Sequence, residues 1–332
     1  MINLIIKDGL GNQLFQYAYA RHLQHIHSIN GIEEREIAIN PYFINHASFV
    51  GNEKRQMSLQ HFVLHPSVRF MEEKEQKAAM LDFKVRTIMA TGLTGIIRWK
   101  FFGEKLLGKK WFEKRAAKGI YYTYTPYTSY KSPLSHCSTK HVFGFFQSEK
   151  NFSEIGSEIR KELQVKTVPS VANQEMMKRI RSCEAVCLHI RRGDYLNEKW
   201  KCLQICDFEY YNNAVNVILE RTVDPTFFIF SNTHDDLVWI RKNYHFYDKK
   251  NGRQIKAIYV DLNNPDYEEL RLMYSCKHFI ISNSTFSWWA AYLSDNDKKI
   301  VCAPKRWNLA MDDDDDIYLE GWIKIDNKKY VE

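Results

Sequence analysis

Two short polar stretches carry the chemistry that this sequence can offer. Residues 189–195 read His-Ile-Arg-Arg-Gly-Asp-Tyr and follow the apolar run Ala185–Leu188, while residues 282–289 read Ser-Asn-Ser-Thr-Phe-Ser-Trp-Trp and follow Phe279–Ile281. Paired guanidinium groups and a hydroxyl-rich helix start are groups that bind phosphate oxygens. Because each stretch follows a predicted buried strand, and ligands of open α/β sheets bind at the carboxyl ends of strands, the sequence predicts a site for a phosphorylated ligand.

The elements that must position these stretches form a regular alternation from about residue 170 onward. Predicted strands cover residues 185–190, 226–230, 255–260, 279–282 and 299–303, and predicted helices cover 207–222, 234–244, 265–276 and 284–293. Strands separated by helices of this length indicate βαβ units and a parallel sheet.

The first half of the chain is less regular. Leu4–Ile6, the glycine turn at 9–13 and the helical spacing after it predict one βα unit. Residues 120–130 are predicted as short strands and loops, and residues 142–147 as one more strand.

The chain is therefore predicted to be an α/β protein of two lobes facing a cleft. The periodicity breaks near 165–172, at Pro169 and Ser170. We expect an N-terminal, acceptor-side lobe over residues 1–168, a nucleotide-binding lobe over 169–310 and a C-terminal tail over 311–332.

Composition excludes several classes of protein. The 332 residues are 45% apolar and 14% aromatic, which is ample for buried cores. The start has no signal-peptide pattern, and no run of about 18 apolar residues predicts a membrane span. Seven cysteines without a Cys-x-x-Cys pair indicate neither a disulfide framework nor a zinc ribbon. A cytoplasmic protein is expected.

The positive charge of the chain is concentrated in residues 95–118. This segment holds eight Lys or Arg against two Glu, which is +6 of the total of +7, interleaved with Trp and Phe. Such a basic amphipathic pattern is typical of a segment on an anionic membrane surface, and equally of an ordinary surface helix. No nucleic-acid-binding motif accompanies it, so a nucleic-acid partner is not predicted.

Four motifs in order carry a family resemblance. They are Gly9–Gln16 (Gly-Leu-Gly-Asn-Gln-Leu-Phe-Gln), residues 144–150 (Gly-Phe-Phe-Gln-Ser-Glu-Lys), residues 189–195, and the block 266–291. Over roughly residues 1–310 the chain resembles bacterial α-1,2-fucosyltransferases of glycosyltransferase family 11. The resemblance implies a GT-B fold of two Rossmann-like lobes, GDP-fucose as donor, the 2-hydroxyl of a terminal galactose as acceptor, inversion at the anomeric carbon, and no metal or other cofactor.

The resemblance also implies roles for the polar residues. Arg191 would contact the β-phosphate and the leaving oxygen, where charge grows as the bond to fucose breaks. Arg192 would support Arg191 or pair with a carboxylate such as Asp194, the alternative being a surface ion pair. Ser284 and Thr285, with the N–H groups that open the next helix, would bind the rest of the diphosphate, unless they are plain helix caps.

Recognition of guanine needs a carboxylate that accepts from N1–H and the 2-amino group. Glu269 stands where the family frequently has Asp, and it is our first candidate. The other candidates are Glu268, Asp266 and Asp261. By the same resemblance His189 would contact the ribose or the guanine edge, or be held in place by a hydrogen bond, and Asn12 would contact the pyrophosphate or the fucose.

The general base for the acceptor hydroxyl is left open by the sequence. Asp194 leads because it follows the arginines in the same turn, with Glu198 and Glu149 behind it, but it could equally orient Arg192. With a diphosphate leaving group, a strong base is not required. The acidic run Asp312–Asp316 is predicted to be a solvated loop and not a metal site, because adjacent like charges repel one another.

Two other functions are kept open. The same donor lobe could transfer fucose with another linkage, as α-1,6-fucosyltransferases do, or the chain could bind a nucleotide sugar or glycan without catalysis. The expected partners are GDP-fucose and a galactose-terminated oligosaccharide or lipid-linked glycan, such as an O-antigen or capsule unit. A lipid-linked acceptor would suit peripheral contact of residues 95–118 with the inner membrane face.

Overall fold

The computed structural model describes residues 1–46, 55–102, 108–123, 129, 132–309 and 315–327. The side chains of residues 93–102, 108–110, 194, 196, 199–200 and 315 lie outside this description. The chain forms two compact units. The first comprises Met1–Leu163 with Asp315–Tyr318, and the second comprises Gln164–Asp314 with Leu319–Glu332.

The first unit is built on a parallel sheet. Its strands are β1 (Ile2–Ile5), β2 (Ile37–Asn40), β3 (Val68–Phe70), β4 (Ile120–Tyr122) and β5 (Lys140–Phe143), in the order β3-β2-β1-β5-β4. Its helices are α1 (Leu10–Ile29), α2 (Tyr42–His46), α3 (Glu73–Phe102), α4 (Gly108–Ala116) and α5 (Gly156–Glu162). All of the strand pairs run parallel. The central strand β1 is buried along its whole length, as expected of a sheet covered on both faces.

The second unit has a larger parallel sheet. Its strands are β6 (Ala185–His189), β7 (Thr226–Phe230), β8 (Lys256–Tyr259), β9 (His278–Ile280), β10 (Val301–Pro304) and β11 (Ile323–Ile325), in the order β11-β10-β9-β6-β7-β8. Its helices are α6 (Val171–Arg181), α7 (Phe208–Arg221), α8 (His234–Asn243), α9 (Asp266–Tyr274) and α10 (Thr285–Leu293). The strands again pair in parallel. Ser170, Asp207 and Thr233 cap α6, α7 and α8 by accepting a backbone N–H, which fixes where those helices begin.

In each sheet the order in which successive strands are added reverses at one strand, which makes a topological switch point. From β6 it moves outward through β7 and β8, then returns to place β9 on the other side of β6; β1 lies in the same way between β2 and β5. The crevice outside the carboxyl ends at such a switch point is where ligands bind in open α/β sheets. In the second unit, that point joins the two polar stretches that the sequence singled out.

The predicted alternation of the second half is confirmed, with ends that differ by up to a few residues. The predicted tail over 311–332 is wrong in part, because Ile323–Ile325 pairs with β10 as an edge strand and residues 315–318 belong to the first unit. Three residues are too short to show a period, so β11 left no pattern to find. Strand β3, also of three residues, was not predicted for the same reason, and the four-residue β2 was not predicted either. The units divide between Leu163 and Gln164, a few residues before the expected boundary.

The basic segment 95–118 is divided between the end of α3 and α4, and most of its side chains lie outside the described residues. Helix α3 carries a non-helical residue at Gly92, whose φ of 70° is a conformation that glycine adopts without strain. Within the described part of the chain, none of the helices combines the length and apolar character needed to cross a membrane.

A buried ion pair fastens α5 to α1 in the first unit. Glu162 lies 2.7 Å from Arg21 and accepts a 2.6 Å hydrogen bond from the hydroxyl of Tyr17. Replacing Glu162 by Gln leaves the Arg21 guanidinium buried without its counter-charge, which costs about 3–5 kcal/mol in such pairs. We expect the Glu162→Gln variant to lose about that much free energy of unfolding in urea titrations. The exposed Glu158 on the same helix is the matched control, and Glu158→Gln should change stability by less than about 0.5 kcal/mol.

Candidate active site

The two polar stretches of the second unit meet at the switch point between β6 and β9. Nδ1 of His189, the last residue of β6, lies 3.0 Å from Oγ of Ser282, which follows β9. Burial, with a smaller contribution from the charge of Arg191, lowers the pKa of His189 to about 3. The imidazole is therefore neutral at physiological pH and contributes a hydrogen bond, not a positive charge.

Tyr195 connects the arginine turn to the serine-rich turn. The guanidinium carbon of Arg191 lies 5.2 Å from the centre of the Tyr195 ring. The Tyr195 hydroxyl donates a 2.9 Å hydrogen bond to the backbone carbonyl of Asn283. The same side chain thus contacts Arg191 and holds the turn that precedes α10.

Asn283 is a positioning residue that sequence reasoning did not separate from its motif. Its side-chain amide donates to the carbonyls of Leu203 and Trp307, each at 3.0 Å. Its Oδ1 lies 3.4 Å from the thiol sulfur of Cys206. The side chain is buried, and it joins two distant segments to the turn. Within the sequence it was one polar residue among several, and nothing marked it as the buried one.

Arg192 points to α8. Its guanidinium carbon lies 3.3 Å from the centre of the Trp239 ring, and its Nε lies 3.4 Å from Oδ1 of Asp236, a distance of charge attraction rather than of a hydrogen bond. Its backbone N–H donates to Oδ1 of Asn232 at 3.4 Å. Of the two roles left open, support of Arg191 and pairing with a carboxylate, these contacts favour the second, with Asp236 as the carboxylate. Neither Trp239 nor Asp236 stood close enough in sequence to be predicted.

The first turn of α10 contains no acidic side chain. The helix begins at Thr285, and the residue before it has an extended conformation. Ser284 therefore stands at the N-cap position, but its side chain does not accept a cap hydrogen bond. The N-terminal end of a helix carries partial positive charge and N–H groups without intrahelical partners, so this end of α10 favours an anion.

Among the four carboxylates considered for guanine, the contacts distinguish Glu269. Glu268 accepts from Thr167 and Asn173 and lies 3.5 Å from Arg271, so it belongs to a structural network. Asp261 lies 2.6 Å from His234. Asp266 accepts from the backbone N–H of Tyr267. Burial raises the pKa of Glu269 to about 8, with a further rise from Asp261 and an opposing hydrogen bond from Asn264.

The first unit has a related arrangement at its own switch point, between β1 and β5. Nε2 of Gln147 donates a 2.5 Å hydrogen bond to Oδ1 of Asn12. Gly9 is the N-cap residue of α1, and its carbonyl accepts a 2.9 Å hydrogen bond from the backbone N–H of Asn12. The first turn of α1 has no acidic residue. Nζ of Lys7 lies 3.9 Å from the centre of the Phe145 ring. Gln147 stood within a quoted motif, yet only the fold reveals its contact with Asn12.

The structure describes the side chains of two of the three candidate general bases, Glu198 and Glu149. The backbone of Asp194 lies in the short 3-10 turn Gly193–Leu196, but its side chain lies outside the described residues. Glu198 is exposed. Burial raises the pKa of Glu149. The choice of base therefore remains a prediction.

The acidic run Asp312–Asp316 lies largely outside the described residues. Asp316, its last member, accepts from the backbone N–H of Ser129 at 3.0 Å and pairs with Lys150. Where residues are described, no group of three His, Cys, Asp or Glu side chains is arranged to hold a metal ion.

Comparison with known proteins decides the family. The family model described as Glycosyl transferase family 11 matches residues 1–326. The chain belongs to glycosyltransferase family 11. This confirms the resemblance carried by the four motifs, and with the two parallel sheets it supports the expected GT-B-like α/β class.

Two bacterial relatives match along most of their length. An alpha-1,2-colitosyltransferase of Escherichia coli is 27% identical over 91% of this chain and 90% of its own. The O-antigen biosynthesis glycosyltransferase WbnK of Escherichia coli is 26% identical over 96% of this chain and 99% of its own. A galactoside alpha-(1,2)-fucosyltransferase 1 of Saimiri boliviensis boliviensis is 28% identical over 46% of this chain and 43% of its own.

Among solved structures, the fucosyltransferase NodZ from Bradyrhizobium aligns with 87% of this chain and 90% of its own, at 9% identity and a TM-score of 0.45.

The first prediction for this site concerns Gly193, between Arg192 and Asp194. Its φ is +32°, and an added Cβ would lie 3.0 Å from Cγ of Asn232. In Gly193→Ala the turn is strained at this φ and the Asn232 side chain, which accepts from the Arg192 N–H, is displaced, so we expect GDP affinity measured by calorimetry to fall by about tenfold, which corresponds to about 1.4 kcal/mol. Gly252, with a φ of +68° and nothing within 4 Å of its added Cβ, is the matched control. Equal GDP affinity in the two Ala variants would show that the position of the arginine turn does not matter.

The second prediction concerns Glu269 and pH. Because burial raises its pKa to about 8, the side chain is a neutral acid below that pH, whereas guanine needs the carboxylate. Binding of GDP must then release a proton, so affinity should rise from pH 6 to pH 8 and level off above it. Calorimetry in buffers of different ionisation enthalpy measures the proton release. Glu269→Gln should lower affinity and abolish this pH dependence; if the variant keeps the wild-type pH dependence, another group contacts guanine.

Proposed function

We propose that this glycosyltransferase moves L-fucose from GDP-fucose to the 2-hydroxyl of a terminal galactose, with inversion and without a metal ion. The observation that carries the proposal is the meeting of the Arg191 turn with the start of α10 at the switch point of the second sheet. That arrangement occurs in a chain of glycosyltransferase family 11 and gathers groups that favour a diphosphate.

The donor half of the reaction follows from charge. As the bond between C1 of fucose and the β-phosphate oxygen breaks, the electron pair stays on that oxygen, and negative charge on the diphosphate grows. Arg191 and the N–H groups that open α10 favour that charge more strongly in the transition state than in the bound donor. Neutral His189 holds Ser282 in place beside them. Arg192, held by Trp239 and Asp236, keeps the turn in position.

The acceptor half needs one new bond and one proton transfer. The 2-hydroxyl oxygen attacks C1 from the face opposite the diphosphate, which inverts the configuration, and its proton passes to a base. We propose Asp194 as that base. Glu149 is the second candidate, because its raised pKa would make it a better proton acceptor than an ordinary carboxylate.

The proposed acceptor is a galactose-terminated oligosaccharide, free or carried on a lipid. A relative that functions in O-antigen biosynthesis supports a cell-surface glycan, and the alpha-(1,2) relative supports the linkage. The colitosyltransferase relative favours a second candidate, transfer of colitose in place of fucose.

The deciding experiment is transfer of radiolabelled fucose from GDP-fucose to a panel of β-galactosides by the purified protein in EDTA. We expect a product that an α-1,2-specific fucosidase removes. Arg191→Ala should lower the rate by about a hundredfold or more, as loss of a transition-state contact does. The exposed Arg253, outside the site, is the control, and Arg253→Ala should keep the wild-type rate.

Other outcomes contradict specific parts of the proposal. Product only after manganese is added would make the enzyme metal-dependent. Product that resists the fucosidase would indicate another linkage, such as α-1,6. Transfer from GDP-colitose alone would reassign the donor, and tight GDP binding without transfer to any member of the panel would favour a binding protein.

A further inference from the structure

Helix α3 packs against the first unit through one face. Met80, Phe83 and Ala90 are buried there and share a hydrophobic cluster with Ile5 and Phe143 of the sheet. This contact fixes which side of the helix faces away from the core.

The opposite face is apolar as well. Leu81 is 64% exposed, Val85 45%, Ile88 55% and Met89 74%. We call these four residues the α3 stripe. They recur at intervals of four, three and one residues, so they lie on one side of the helix. Single exposed apolar residues are ordinary, but a contiguous stripe of large ones on a helix indicates a surface that is covered by something else.

The charges around the stripe are positive toward its C-terminal end. Lys84 is exposed and lies on the same side, three residues from Leu81 and four from Ile88. Helix α4 contacts α3, and its Lys114 is exposed. The sequence that follows the stripe, residues 95–118, has a net charge of +6.

Two kinds of occupant could cover the α3 stripe, a second copy of the chain or a lipid bilayer, and the positive charge beside the stripe distinguishes between them. A second copy of the chain would bring like charges together along the same face, which opposes association. An anionic bilayer accepts apolar side chains among its acyl chains and attracts lysine at its headgroups.

We propose that the α3 stripe docks the protein on an anionic lipid surface, with α3 lying in the plane of the interface. The proposal goes beyond the glycosyl transfer reaction, because lipid binding requires neither donor nor acceptor. It would place the first unit where a lipid-linked glycan is available.

The test is co-sedimentation of the full chain with vesicles of phosphatidylcholine and phosphatidylglycerol, compared with vesicles of phosphatidylcholine alone. We expect binding to the anionic vesicles that weakens in high salt. The triple variant Leu81→Gln, Ile88→Gln and Met89→Gln should bind at least about tenfold more weakly, because three apolar side chains no longer enter the bilayer. Glutamine keeps helix propensity, and all three positions are exposed, so the fold should persist.

The matched control replaces three exposed valines of the second unit, in the variant Val168→Gln, Val171→Gln and Val223→Gln. They are 86%, 72% and 88% exposed, and this variant should bind vesicles like the wild type. Both triple variants should keep the wild-type rate on a soluble galactoside. If that reaction does not occur at all, the vesicle assay still decides the lipid proposal.

Three results would overturn the proposal. They are absence of wild-type binding to anionic vesicles, equal binding by the α3 triple variant, and lipid-free self-association of the wild type that the α3 variant loses in sedimentation velocity. The last result would identify the stripe as an interface between copies of the chain.

Discussion

Parallel pairing of β6 with both β7 and β9 is the constraint on which the candidate site depends. Because β6 lies between them, the turns after β6 and β9 leave the sheet at the same edge and side by side. Residues about ninety positions apart in sequence then come within hydrogen-bond distance, as His189 and Ser282 do. The hydroxyl of Tyr195 joins the two turns, and the buried amide of Asn283 holds the second turn to Leu203 and Trp307, so the candidate anion-binding groups are positioned before any ligand arrives.

The two adjacent arginines have different surroundings. Arg192 is held by the Trp239 ring and the carboxylate of Asp236, both on α8, whereas Arg191 lies over Tyr195 at the turn that leads to α10. We propose that Arg191 meets the diphosphate and that Arg192 holds the turn.

Much of the fold and site of the second unit could be predicted, because its strands and helices follow from the local pattern of apolar and polar residues. Apolar runs of three to five residues and capped amphipathic helices revealed its strands and helices, and the polar residues directly after two of those strands indicated the site. What could not be predicted depends on contacts distant in sequence. Trp239 and Asp236 are recognised as partners of Arg192 only once α8 is placed, and only the structure shows that Ser284 stands at the N-cap position without a side-chain cap hydrogen bond. Short strands such as β3 and β11 carry too few residues to show a period.

We propose that Arg191 and the start of α10 bind the β-phosphate of the donor. Calorimetry with GDP and GMP tests it directly, because the two ligands differ by that phosphate alone. We expect the wild type and Arg253→Ala to bind GDP at least about tenfold more tightly than GMP, and Arg191→Ala to bind the two within about twofold of each other. If Arg191→Ala retains the full preference for GDP, the diphosphate is held elsewhere and the account of this site is wrong.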